Sequence, residues 1–262
     1  MVVPFVHLSL LAYLAAGGCY LAWLLKPHDF SQRWGRRLLV SGALVHLAAL
    51  VTEYTQSGAD PFWRPGGSLS LMAFLIVTGF LALDFKRPIP VVGAFISPLV
   101  VAVLVPAHLV PDRASAVYGA GLVLHVGTAI LGTAAFALSF GLSLLFLLVE
   151  RQVKARRLGR LAARLPSLEL VERLAWRLTL AGFVFLSSTI ALGKFFAQRT
   201  GALDLKTALA YVAWFTYAVV INARLMAGWR GRRAAFLVLA GFLLIVGVYL
   251  GLYRSSAYGA II

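Results

Sequence analysis

Long apolar runs separated by short polar breaks set the pattern of this chain. A helix needs about 20 apolar residues to cross the ~30 Å hydrocarbon core of a bilayer. Eight such runs can be placed, at about 3–25, 37–55, 68–85, 90–109, 118–149, 174–197, 205–227 and 233–253. Only helices and closed barrels satisfy their backbone groups in lipid, and these runs have helical length. The pattern therefore predicts an all-α, polytopic membrane bundle of about eight transmembrane helices, forming a single membrane domain over residues 1–262. The third and fourth runs are joined by the tight turn Phe85-Lys86-Arg87-Pro88 and form a helical hairpin; Pro98 falls inside the fourth.

The stretch from Tyr118 to Lys154 predicts one helix of roughly 50 Å, which spans the bilayer and projects beyond it. Gly121, His125, Thr128, Ala129, Gly132, Ala135 and Ser139 recur on one of its faces at helical spacing. Small residues so arranged let a neighbouring helix approach closely. A histidine within such a face is a candidate functional residue.

Composition agrees with this class. Of 262 residues, 61% are hydrophobic and 13% charged, against about 45–50% and about 25% in soluble domains. A net charge of +15 would point a soluble chain towards nucleic acid, but here the basic residues sit in the breaks between apolar runs. The expected surroundings are the lipid bilayer, with no nucleic acid. Eighteen of the 24 Lys and Arg lie in alternate connections and six in the others, an asymmetry that predicts both termini outside the cytoplasm.

Eight of the eighteen fall in residues 151–177, a basic amphipathic cytoplasmic segment between the fifth and sixth spans. It suits the headgroups of the inner leaflet, or the docking of a cytoplasmic protein. The lone Cys19 excludes an internal disulfide, a CxxC pair and CxxCH haem attachment. A tetrapyrrole would thus be held non-covalently. Apolar residues follow Met1 with no basic n-region, so no cleavable signal peptide is expected.

Five histidines carry the candidate chemistry. His28 lies among charges in a connection. His46 is near the middle of the second span, while His7, His108 and His125 fall in the outer thirds of theirs. Imidazoles at similar depth on different helices can converge on one metal or one haem iron. The plain alternative for each is a hydrogen bond to a neighbouring helix. Glu53, Asp84 and Glu150 stand at span ends, where headgroup-level positions account for them.

From about Arg37 onward several stretches occur in a familiar order. They are the His46 helix, the hairpin LDFKRPIPVVGAFISPLV, Leu124-His125-Val126 heading a long helix, LPSLELVERLAWRLTLAGFVFL, and AWFTYAVVINARLMAGWRGRRAAFLVLAGF. In these the chain resembles the CcsA/CcmC haem-handling superfamily of cytochrome c assembly, and within it the shorter HemX/YpjD-like branch.

The resemblance implies that His125 is an external axial ligand of haem iron, and that Asp204 and Lys206 fall on the aspartate and lysine of the family's tryptophan-rich loop. Gly201, Leu203 and Leu209 stand where that loop has tryptophans, and Asn222 and Ser256 where the family has further histidines. His7 or His108 can then replace the lost ligand.

The implied function is haem binding and handling at the outer face of a bacterial-type inner membrane. The partners would be haem and other cytochrome c assembly proteins, and the chain an assembly factor rather than a catalyst. The alternatives are a HemX-like regulator of a tetrapyrrole-synthesis enzyme, acting through the basic segment, and a structural membrane subunit without ligand.

Overall fold

The computed structural model describes residues 2–86, 88–109, 119–154, 165–196 and 205–258. Among them the secondary structure is entirely helical: α1 (Val2–Leu25), α2 (Asp29–Ser57), the single turn α3 (Asp60–Trp63), α4 (Pro65–Lys86), α5 (Pro90–Leu109), α6 (Ala120–Lys154), α7 (Leu168–Phe196), α8 (Leu205–Met226) and α9 (Arg232–Tyr258). Eight of these helices are long and apolar enough to cross a membrane. The protein is a multi-span helical membrane protein, as the apolar pattern predicts. Residues 155–164 of the basic segment lie outside the described residues.

Helix ends differ from the apolar runs where polar residues start a helix. α2 begins at Asp29, eight residues before its apolar run, because the His28 side chain accepts from the Phe30 N–H (3.2 Å) and Asp29 occupies the first turn. Similarly, Ser167 caps α7 by accepting from the Leu170 N–H at 3.4 Å. α5 continues through both Pro98 and Pro106.

Two compact units emerge, Met1–Arg113 with Leu148–Val171, and Ala114–Leu147 with Glu172–Ile262. In the first, α1 packs on α2 and α5, α5 on α4, and α4 on α2. Tyr13, Tyr20 and Trp23 of α1 are fully buried. Tyr13 lies on Gly42 of α2, and Tyr20 on Gly35 of α2 and Gly93 of α5; a Cβ at Gly42 or Gly93 would fall 2.8 Å from the ring. Asp84 is 1% exposed. Its Oδ2 accepts from Arg36 Nε and its Oδ1 from the Ile89 N–H, both at 2.7 Å. Those donors meet the buried carboxylate and fasten α2 to the α4–α5 turn.

In the second unit the small-residue face of α6 lies on α7. Gly132 approaches the Phe185 Cβ and the Gly182 carbonyl, and the Phe136 ring seats on Gly182. Ser139 Oγ is 3.0 Å from the Ala175 carbonyl and 2.7 Å from Thr179 Oγ1. Phe136 also stacks on Tyr217 of α8, with centroids 3.8 Å apart. Tyr217 in turn covers Gly241 of α9. All four long helices of the unit therefore meet around two stacked rings.

A methyl group at position 182 would fall 2.7 Å from Phe136, whose ring is held from the other side by Tyr217. Gly182→Ala is expected to cost about 1–3 kcal/mol, the usual penalty of overpacking. A thermal melt in detergent checks this, and an unchanged midpoint would contradict the packing.

Candidate functional site

His125 stands near the start of α6, half-buried against the last turns of α7. Its Nδ1 is 2.9 Å from the Thr189 carbonyl oxygen. A carbonyl can only accept, so Nδ1 carries a proton, and in the neutral ring Nε2 presents its lone pair. Nε2 makes no hydrogen bond among the described residues.

Space for the ring comes from Gly193, one turn after Thr189, where a Cβ would lie 3.0 Å from His125 Cε1 and 3.3 Å from Nδ1. Register comes from two threonines: Thr189 Oγ1 is 2.9 Å from Thr128 Oγ1, which is 3.0 Å from the His125 carbonyl. An imidazole fixed through Nδ1–H with Nε2 open is the arrangement of metal-ligating histidines. Nε2 is thereby left available to a metal ion, although among the described residues no further His, Cys, Asp or Glu joins it as a group of three.

Beside it Lys194 is exposed, with its ammonium 5.3 Å above the Tyr211 ring. Trp214 of α8 donates its Nε1–H to Ser187 Oγ (2.9 Å) and stacks on Phe183. Asp204 lies outside the described residues.

The first unit brings three of the other histidines into play differently. His46 is fully buried. Its Nδ1 lies 3.2 Å from the Tyr13 hydroxyl and its Nε2 3.0 Å from Ser70 Oγ, so both nitrogens are engaged in a link between α1, α2 and α4. His7 and His108 are exposed neighbours on α1 and α5, with ring centroids 6.5 Å apart and planes at 64°. Among the described residues no group of three or more His, Cys, Asp or Glu is placed to hold a metal ion.

Thr189 and Gly193 went unnoticed in the sequence. The signal was their four-residue spacing on α7, in line with Gly182, which matches the small face of α6. Histidine-selective ¹⁵N NMR of the reconstituted protein is expected to show His125 as the Nδ1–H tautomer. Gly193→Ala is expected to abolish that signature by displacing the ring. An Nε2–H tautomer in the parent protein would refute the geometry.

Comparison with known proteins places the chain. A family model described as cytochrome C assembly protein matches residues 7–256. The cytochrome c biogenesis protein CcsA of Synechococcus sp. (strain CC9902) is 28% identical over 249 residues, covering 82% of each chain. The inner membrane protein YpjD of Escherichia coli (strain K12) is 25% identical over 264 residues, 94% of this chain and 95% of its own.

Among solved structures, the cytochrome c heme lyase CcmF superposes with a TM-score of 0.67 at 17% identity, over 97% of this chain and 49% of that one. The chain spans about half the length of that protein, and the likeness is one of fold. With nearly its whole length matched by the family model, the chain belongs to the cytochrome c assembly protein family.

Proposed function

We propose that the protein binds and handles haem in cytochrome c assembly, at the outer face of a bacterial inner membrane, with His125 as an axial ligand. The observation that carries this reading is the imidazole pinned through Nδ1–H to the Thr189 carbonyl, with Nε2 open. Family membership supports the setting. The relative named as an inner membrane protein and the asymmetry of Lys and Arg support the location, with both termini outside the cytoplasm.

Haem, held non-covalently, would supply an iron that His125 could ligate. The chain does the rest. The Thr189 carbonyl fixes the tautomer and orientation of His125. Gly193 sets the position of the ring. Lys194, the next residue, offers a charge-assisted partner to a propionate.

His125 is the sole histidine of the sequence in Ala114–Leu147 and Glu172–Ile262. An iron bound here has no second imidazole from this unit, which suits a protein that passes haem to an assembly partner. His7 and His108 neighbour each other within the first unit.

The test is the absorption spectrum of the purified protein, oxidised and reduced, with and without added haemin. A Soret band is expected in the parent protein, and His125→Ala is expected to remove it. Haem content unchanged by that substitution would sink the assignment. His46→Gln, which alters an imidazole already engaged at both nitrogens, should leave the band in place.

A further inference from the structure

Two histidines of the first unit have chemistry that the His125 site does not use. His7 lies in the second turn of α1 and His108 in the last turn of α5. Both side chains are exposed, with ring centroids 6.5 Å apart and planes at 64°. Neither ring makes a hydrogen bond among the described residues, so no protein group there competes for its nitrogens.

The pairing follows from the way α1 and α5 pack. Three contacts run in antiparallel order along the two helices: Tyr20 on Gly93, Gly17 on Ser97, and His7 beside His108. The two glycine contacts are close. A Cβ at Gly93 would fall 2.8 Å from the Tyr20 ring, and one at Gly17 would fall 3.2 Å from the Ser97 Cβ. Sliding either helix past the other would drive a side chain into these seats, so the register is fixed. Val6 and Ala107, the chain neighbours of the two histidines, are buried, and the helices are still packed at this level. Rigid backbone therefore brings the two imidazoles together at an accessible edge.

Imidazole is the commonest side-chain ligand of transition metals. With metal–nitrogen bonds of about 2.0–2.1 Å, two imidazoles on one ion have ring centres about 5–6.5 Å apart, according to the angle between the bonds. His7 and His108 stand at the wide end of that range, and rotation of exposed side chains spans it. Two ligands on packed helices hold an ion better than one, because the second binds as an intramolecular partner. No third His, Cys, Asp or Glu joins them among the described residues, so water fills the remaining positions. A pair of neutral nitrogens suits Cu²⁺ first, then Ni²⁺ and Zn²⁺, whereas Mg²⁺ and Ca²⁺ take oxygen ligands.

We propose that His7 and His108 form a site for one divalent transition-metal ion, Cu²⁺ most tightly, which ties the start of α1 to the end of α5. The site shares no residue with the one at His125, so either assignment can fail without the other.

The full chain, purified in mild detergent on an affinity tag without histidine, is titrated with Cu²⁺, Zn²⁺ or Mg²⁺ and bound metal is measured after equilibrium dialysis. A single tight Cu²⁺ is expected, with Zn²⁺ weaker and Mg²⁺ not retained. The electron paramagnetic resonance spectrum of the copper form is expected to show coupling to two imidazole nitrogens. His7→Gln and His108→Gln are each expected to weaken Cu²⁺ binding by at least about tenfold, and His125→Gln to leave the tight Cu²⁺ in place. Because the ligands come from two helices, saturating Zn²⁺ is expected to raise the thermal midpoint of the parent protein and of neither His7→Gln nor His108→Gln.

Copper binding that survives both single substitutions would overturn the proposal. So would coupling to one nitrogen only, or retention of Mg²⁺ as tight as that of Cu²⁺, which would mark adventitious binding. Loss of the tight Cu²⁺ in His125→Gln would place the metal on the other unit and overturn it as well. Should a variant fail to insert, the spectrum and the Zn²⁺-dependent midpoint of the parent protein still decide the matter.

Discussion

Aromatic rings seated on glycines hold each unit of this protein together. Lipid tails are as apolar as the helix faces they touch, so burial from water gives transmembrane helices little reason to pair, and close van der Waals approach has to supply it. In the first unit Tyr13 lies on Gly42, and Tyr20 on Gly35 and Gly93. In the second, Phe136 lies on Gly182 and Tyr217 on Gly241, with the two rings stacked on each other. At each place a missing side chain on one helix makes the seat for a ring from another. The same closeness brings α6 and α7 near enough for Ser139 to reach the Ala175 carbonyl and for His125 to reach that of Thr189.

Polar groups inside such a bundle must find partners within it, and most of the prominent ones do. Asp84 takes two donors from different parts of the chain, and His46 engages both nitrogens. Each cross-links elements that lipid would not otherwise bring together. Tyr20 Oη, Trp23 Nε1 and Ser97 Oγ are buried without a partner among the described residues, while the half-buried His125 has one nitrogen pinned and the other open. His46 and His125 are both histidines in apolar helices, yet the second hydroxyl partner that makes His46 a cross-link has no counterpart at His125.

The order and type of the helices were readable because transmembrane length is a property of one segment at a time. The eight apolar runs recur as long helices with ends shifted by a few residues, most of all at α2, where Asp29 to Arg36 are polar yet helical. Partners were harder to read. The small face of α6 announced that some helix lies against it, but choosing α7 needs Gly182, Thr189 and Gly193 in register with Gly132, Thr128 and His125. His28 is likewise a helix cap rather than a merely solvated side chain, a role that depends on the local backbone.

The departures from the family pattern become more coherent once the helices are in place. Asn222, where the resemblance has a histidine, is exposed and donates to the Ala218 carbonyl of its own helix at 2.9 Å. An amide so engaged serves the helix rather than a ligand on another one. That leaves His125 as the second unit's only imidazole, and a reading built on two histidine ligands from this unit has no residue for the second. The proposal that the protein holds haem through one ligand and yields it to a partner therefore follows from what the chain lacks at position 222 as much as from what it has at position 125. Were haem bound here, His125, oriented by the Thr189 carbonyl, would hold its iron, and the unit would offer no second imidazole beside it.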